Sequence, residues 1–248
     1  MTAAFRLRPG SAADLAHAVR LYDACLGSDK LVSLLFPAKK DDPAAYKKYL
    51  YRLYAKRYWS VEWMFTFVVK EGGDAVGSEV VGFACWKKPK TEISFSERWF
   101  TLSNLHQQVA WIAPVMRAFI TLQNKIAPPN VDFHVALAFD RCFPPVEKAV
   151  FAGKTPEEWW YLSTLAVHPS AQGQGLGALL MAEGLTMADE FQEKQAVVKT
   201  EGKARGKVWL IGLRGTDTFY SRFGFSEVGR ANVGELSEWD GGLVMFRE

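Results

Sequence analysis

The sequence predicts an α/β fold, in which strands rich in aromatic and β-branched residues alternate with amphipathic helices. Three observations carry this reading. Trp63–Val69 and Glu79–Trp86 read as two strands joined by a glycine-rich hairpin loop over 71–78. Pro43–Tyr58 sets Tyr46, Leu50, Leu53 and Tyr54 at helical spacing. Trp160–Val167 is a further strand, broken by His168-Pro169-Ser170, and it leads through a glycine-rich loop into a helix over about 175–194, where Leu176, Leu179, Leu180 and Leu185 recur at helical spacing.

The remaining elements follow in chain order. Phe5–Arg8 alternates and stops at Pro9-Gly10, predicting a short first strand. Ser11 can cap a helix that carries Asp14 in its first turn and Leu15, Val19 and Tyr22 on one face, until Gly27 ends it. A second helix is expected over about 29–36. In Pro43–Tyr58 the basic residues Lys47, Lys48, Arg52 and Lys56 lie off the apolar face and read as solvated. Between the third strand and Trp160, a long segment at about 87–158 reads as a largely helical insert. Its expected helices are Glu97–Val109 and Trp111–Ile126, followed by an apolar stretch, Val131–Phe143, that ends at Pro144-Pro145. The insert lacks the composition for a core of its own, so the chain reads as a single domain over 1–248 with the insert packed on it. Lys207–Leu213, Thr216–Phe223, Phe225–Val233 and Gly242–Phe246 complete the chain as strand, short helix and two closing strands.

Composition narrows the function. At 49% hydrophobic and 23% charged, the chain has the balance of a soluble globular protein. A net charge of +3 suits a polyanionic ligand but gives no case for nucleic acid. No apolar run approaches the roughly 18 residues of a membrane span, and no secretory h-region opens the chain. Cys25, Cys85 and Cys142 are far apart and in no metal-ligand spacing, so no metal site is expected, and a reducing, cytoplasmic setting is.

The most telling segment is the strand–loop–helix at Trp159–Leu180. Backbone N–H groups gathered at a helix N-terminus make an anion site, and phosphate is the usual anion. Gly173, Gly175 and Gly177 do not complete the dinucleotide pattern, since Ala178 stands at its third glycine, and no Gly-Lys-Ser/Thr closes a P-loop. The stretch Gln172-Gly173-Gln174-Gly175-Leu176-Gly177, preceded by Leu165–Pro169, resembles motif A of the GNAT superfamily of N-acetyltransferases. A second motif, Phe219-Tyr220-Ser221-Arg222-Phe223-Gly224-Phe225, is similar to that superfamily's Leu/Phe-Tyr-x-x-x-Gly-Phe and follows at the right distance. The likeness covers Trp159–Phe225 well and the N-terminal strand–helix unit weakly, and it does not extend to the insert.

This resemblance implies a GNAT fold: a mixed, mostly antiparallel central sheet, splayed at strands 4/5, flanked by helices, with the helical insert between strands 3 and 4. It implies acetyl-CoA as co-substrate, with the backbone of Leu165, Ala166 and Val167 along the pantetheine and Gln172, Gly173, Gln174, Gly175, Leu176 and Gly177 around the pyrophosphate. Tyr220 matches the tyrosine that serves as general acid in several members. Tyr161 and Ser163 stand where the arylalkylamine branch carries two histidines, and other members carry a glutamate on this strand, so no dedicated base is expected here: the two hydroxyls can anchor a water chain that relays the proton, or Tyr161 can be a wall of the pocket. Strand alternation places Tyr161, Ser163 and Leu165 on one face and Leu162, Thr164 and Ala166 on the other. His168, His106 and His134 are not expected to act as bases. Asp140 and Glu147 are candidates to meet a cationic amine, Arg214 a phosphate, and Arg222 the adenosine 3′-phosphate. Trp99, Phe100, Trp111 and Phe119 suggest an apolar acceptor pocket, hence transfer to a small primary amine, aromatic or xenobiotic. The alternatives are a protein or histone N-acetyltransferase and a non-catalytic acyl-CoA sensor. Oligomeric state is left open between monomer and homodimer.

Overall fold

A computed structural model of the chain describes residues 4–71, 79–93, 112–195 and 205–248. The hairpin-loop residues 72–78, the expected helix Glu97–Val109, and Trp99, Phe100, His106 and Trp111 lie outside the described residues. Strand β1 (Phe5–Pro9) is followed by helices α1 (Leu15–Leu26), α2 (Lys30–Leu35) and α3 (Pro43–Tyr58). The hairpin β2 (Trp63–Lys70) and β3 (Glu79–Lys87) comes next, then α4 (Ala113–Ile126), α5 (Phe133–Ala136) and α6 (Ala138–Val150). Strand β4 (Trp160–Val167), α7 (Leu176–Gln195), β5 (Val208–Gly212), α8 (Asp217–Ser221), β6 (Ser226–Arg230) and β7 (Leu243–Arg247) complete the order.

The described strands form one seven-stranded sheet in the order β1-β2-β3-β4-β5-β7-β6. Every neighbouring pair is antiparallel except β4 and β5, which run parallel and are paired only over Trp160–Leu162 against Val208–Leu210. Period-2 alternation then builds two faces. Ala84 and Trp86 of β3, Val208 and Leu210 of β5, and Leu243 and Met245 of β7 meet Leu176, Leu180, Met181 and Leu185 of α7. On the other face Phe65, Phe67, Phe83 and Cys85 meet Tyr46, Leu50 and Tyr54 of α3 and Leu15, Val19 and Leu21 of α1. Farther along that face Trp209, Val244 and Phe246 meet Phe143 of α6. At Gly184 an added Cβ would stand 2.2 Å from the Trp86 ring, so glycine is what lets α7 lie close on β3.

Three sequence expectations are corrected by packing. Arg52 is not solvated: only 9% exposed, it donates to Asn124 Oδ1 at 2.9 Å and the Ala127 carbonyl at 2.8 Å, tying α3 to the end of α4. Pro144-Pro145 does not stop a helix, because α6 runs through both. Their missing N–H groups forgo two internal hydrogen bonds, and the burial of Phe143 against Trp209, with Val146 and Val150 packed alongside, holds the segment helical. Leu179 falls at helical spacing but is 40% exposed; Met181 takes its place in the core.

The entry to α1 is fixed by Asp14. Its carboxylate accepts from Arg8 Nη1 and Nη2 at 2.7 and 2.6 Å and from the Ser11 N–H and hydroxyl at 2.8 and 2.7 Å. Burial opposes its ionisation, but the hydrogen bonds from Arg8 and Ser11 prevail and hold the carboxyl at about 2. A depressed carboxyl pKa contributes stability that is complete above the ordinary range near pH 4 and vanishes as pH falls through the folded value. We expect Asp14→Asn to cost about 2 kcal/mol at neutral pH, and the difference from wild type in urea midpoint to shrink between about pH 5 and pH 2. A difference independent of pH would contradict this assignment.

Candidate active site

Strand β4 carries the site, and a β-bulge shapes it. Opposite β3, Cys85 pairs with Thr164 and the next residue, Trp86, with Leu162, so Ser163 is the extra residue. A bulge resets the alternation. Leu162 and Leu165 both pack on the α7 side. Thr164 and Ala166 join the α1–α3 side, where the Thr164 hydroxyl hydrogen-bonds the buried Tyr54 hydroxyl at 3.1 Å. Strict alternation had put Leu165 with Tyr161 and Ser163; the bulge exchanges it for Thr164.

Beyond Leu162 and Leu210, β4 and β5 no longer pair, and the β4 edge facing β5 is left without a strand neighbour. The His168 N–H points to the Val81 carbonyl of β3. By alternation the peptide groups of Ala166 share that direction, and those of Leu165 and Val167 face the opening. Consistent with this, the Val167 carbonyl accepts from the Gln172 side chain at 2.9 Å and from the Cys25 thiol, not from β3. Ala166, expected beside a cofactor, instead turns its side chain into the α1 core and its peptide groups to β3.

The opening leads to the glycine loop. Gly173 and Gly175 hold φ of +76° and +78°, and a Cβ on either would meet nothing within 4 Å. The loop is therefore a concave strip of exposed backbone with free space before it, at the N-terminus of the 20-residue α7. Leu176 buries its side chain beneath it, leaving its peptide group as the part available to an anion. Gly177 faces Phe219 of α8, 3.5 Å from where its Cβ would be.

On the opposite face lie two cavities of about 380 and 220 Å³ that share Arg57, Phe139, Asp140 and Tyr161. A column of rings joins them to the sheet. Phe139 stacks on Phe143 (5.2 Å between centroids), Phe143 on Trp209 (5.9 Å), and Trp209 on Tyr161 (4.1 Å). Trp63 meets Tyr161 edge-on at 6.5 Å. The Arg57 guanidinium lies 4.4 Å over the Trp63 ring and donates to the Ser163 hydroxyl at 2.8 Å. Burial raises the Tyr161 phenol above its ordinary pKa, with the Arg57 charge opposing the shift, so it is a neutral hydroxyl at physiological pH. Burial also raises Glu147, which lines the larger cavity, with Glu157 adding to the shift and Lys87 opposing it.

The family comparison falls on the stretch that holds β4, the glycine loop, β5 and α8. Residues 131–227 match the model described as an acetyltransferase (GNAT) domain. Over residues 131–227 the chain carries a GNAT acetyltransferase domain. A solved structure described as histone acetyltransferase HPA2 and related acetyltransferase, from Corynebacterium glutamicum, is 18% identical, with 100% of this chain and 96% of that one covered and a TM-score of 0.55. A GNAT-family acetyltransferase from Staphylococcus aureus is 9% identical, covering 98% of each chain at a TM-score of 0.45. The PaiA N-acetyltransferase from Thermoplasma acidophilum, solved in complex with coenzyme A, is 10% identical, covering 99% of each at 0.44. The first of these supports the fold. No curated protein matches the chain.

Within this GNAT domain the expected site residues divide between the two faces. Tyr161 and Ser163 meet at Arg57 on the cavity side. Tyr220, on α8, packs with Phe219 and Phe225 in the cluster that receives Leu165 and Val167, and it lines neither of the two shared cavities. His168 is a turn residue: its Nδ1 is 2.7 Å from the Ser170 hydroxyl and accepts the Ser170 N–H. Arg214 pairs with Asp240 at 3.0 Å. Phe119 is 49% exposed and does not line the cavities.

Arg57 was missed by sequence reasoning. It follows Lys56 in a basic helix, and nothing in the spacing separates it from the solvated residues around it. The bulge yields its own test. Thr164→Val should strand the buried Tyr54 hydroxyl and cost about 1–3 kcal/mol in chemical denaturation. Adding Tyr54→Phe should recover part of that loss; additive losses would place Thr164 elsewhere.

Proposed function

We propose that the protein is an acetyl-CoA-dependent N-acetyltransferase that acetylates a small primary amine. The observation that carries this reading is the two-sidedness of β4. Its free backbone edge and the glycine loop lie toward α7, and an aromatic-walled cavity lies on the other face at Tyr161 and Ser163. The pantetheine would lie along the Leu165 and Val167 peptide groups, as an added strand does, and the pyrophosphate against the N–H groups of Gln172 through Gly177. The open, positive-φ glycines fit such a ligand, because a side chain there would fill the space that the phosphates need.

Acetyl-CoA supplies the activated acyl carbon: the amine nitrogen bonds to it while its C–S bond breaks. Burial raises Tyr220 above the ordinary phenol range, so it stays protonated and can give its proton to the departing sulfur, regaining one from solvent. The amine's surplus proton leaves toward water past the hydroxyls of Ser163 and Tyr161. Neither hydroxyl is a strong base, so the amine must arrive neutral, and Arg57 beside Ser163 favours its neutral form. The aromatic walls contributed by α1, α3 and α6 suit a compact apolar acceptor better than an extended peptide.

Thiol release from acetyl-CoA with a panel of amines tests the reading directly; coenzyme binding with no turnover on any amine or peptide would favour a sensor. Tyr220→Phe should lower kcat by roughly 10²-fold with little change in coenzyme affinity, and unchanged turnover would remove its role as the acid. Gly175→Asp should abolish coenzyme binding in calorimetry through strain at positive φ and charge repulsion. Retained affinity would displace the pyrophosphate from this loop.

A further inference from the structure

Among the described residues Arg57 is a cation without a counter-ion. It sits on α3, facing the junction of the two cavities, against the rings of Trp63 and Tyr54 at 4.4 and 5.7 Å. Its hydrogen bonds go to neutral partners, the Ser163 hydroxyl and the Cys85 thiol, and among the described residues no carboxylate stands within ion-pair distance of it. The carboxylate on the smaller cavity is Asp140, which likewise has no ion pair among the described residues.

The environment makes this informative. A guanidinium has five N–H donors in a fixed fork, and the Ser163 hydroxyl and the Cys85 thiol leave most of them open. Several other cations of the chain are ion-paired: Arg8 with Asp14, Arg247 with Asp189, Arg141 with Glu235 and Lys39 with Asp23. Arg52, also inserted between helices, is satisfied by two oxygens of α4 and its end. Arg57 is the only lysine or arginine among the described residues that line the smaller cavity, whereas Lys87, Lys88 and Lys90 line the larger one. Its aromatic neighbours fix the plane of the guanidinium while offering its remaining N–H groups no oxygen.

We propose that Arg57 is the specificity determinant for an acceptor that carries a carboxylate together with an apolar or aromatic body, namely a free aromatic or branched-chain amino acid. The carboxylate takes the open donors of Arg57 as a bidentate partner. The side chain enters the ring-lined cavity between Tyr49, Phe139 and Trp239, and the amine is left near Ser163 and Tyr161. Asp140, at the shared wall, discriminates against a second carboxylate on the acceptor. This rests on the N-acetyltransferase reading for the transfer step, but the recognition itself is measurable without turnover.

The test compares matched ligand pairs that differ in the carboxylate: phenylalanine against phenethylamine, tyrosine against tyramine and leucine against isopentylamine. Binding to the full-length protein is measured by calorimetry with coenzyme A present, and kcat/KM by thiol release from acetyl-CoA. The carboxylate-bearing member of each pair should bind at least tenfold more tightly to wild type. Arg57→Gln should weaken that member at least tenfold more than its partner, with Arg57→Lys intermediate because a point charge replaces a fork. Circular dichroism and thermal melts identify a variant that has lost its fold, and the wild-type pairs decide the matter without any variant. Equal binding within pairs, or tighter binding of the carboxylate-free amines, overturns the proposal. Carboxylate-dependent binding without thiol release would uphold Arg57 as the anion reader and overturn the transferase reading; thiol release from the plain amines with no carboxylate preference would do the reverse.

Discussion

The rest of the molecule depends on where β4 and β5 stop pairing. Three residues on each strand, Trp160–Leu162 and Val208–Leu210, hold the two halves of the sheet together. Had the parallel ladder continued, the Leu165 and Val167 peptide groups would be consumed by β5. Backbone N–H and C=O groups are obligatory hydrogen-bonding groups, so an edge opened within a seven-stranded sheet must be met by other donors and acceptors, as the Gln172 side chain and the Cys25 thiol meet the Val167 carbonyl. The same junction needs lateral support, and the ring column from Phe139 to Tyr161 supplies it across the seam.

That column explains how an unpromising segment becomes structural. Two consecutive prolines inside α6 remove hydrogen bonds that the helix would otherwise make. The helix persists because its apolar face is held by packing: Phe143 lies parallel to Trp209, and Phe151 just beyond the helix packs against Trp159, Trp209 and Phe246. Burial of Phe143 and Phe151, with Phe139, Val146 and Val150 packed alongside, contributes about 1.5–3 kcal/mol for each fully buried side chain, which is of the size needed to offset the roughly 3 kcal/mol expected of each of the two prolines. The wall of the acceptor cavity and the integrity of the β4–β5 seam are thus one packing arrangement.

What was legible in the sequence follows the same division. Strands with period-2 aromatic patterning, helices with apolar spacing, and the Gln172–Gly177 and Phe219–Phe225 motifs announce themselves locally, and their elements fall close to where the pattern puts them. The bulge at Ser163 leaves no such mark. Tyr-Leu-Ser-Thr-Leu-Ala-Val reads as simple alternation, and only pairing with β3 shows the extra residue. Arg52 and Arg57 were illegible for a related reason. A helix one face of which is basic looks solvated until the packing of α4 and β4 against it is known. Tertiary partners, not local propensity, decide these positions.

The two faces of β4 also differ in how they can change. Toward α7 the exposed groups are peptide N–H and C=O, which most side-chain substitutions leave in place, so the character of that face is set by backbone path and glycine conformation. Toward α3 the ligand-facing groups are side chains: Ser163, Tyr161, Arg57 and Asp140. Exchanging any of these alters charge or shape in the cavity without disturbing the ladder with β3. A single bulged residue therefore separates a conservative surface from a variable one. In this chain that cavity face sets two neutral hydroxyls beside one cation and one carboxylate, Arg57 and Asp140, which have no ion pair among the described residues, so charge rather than a strong base is what its side chains offer.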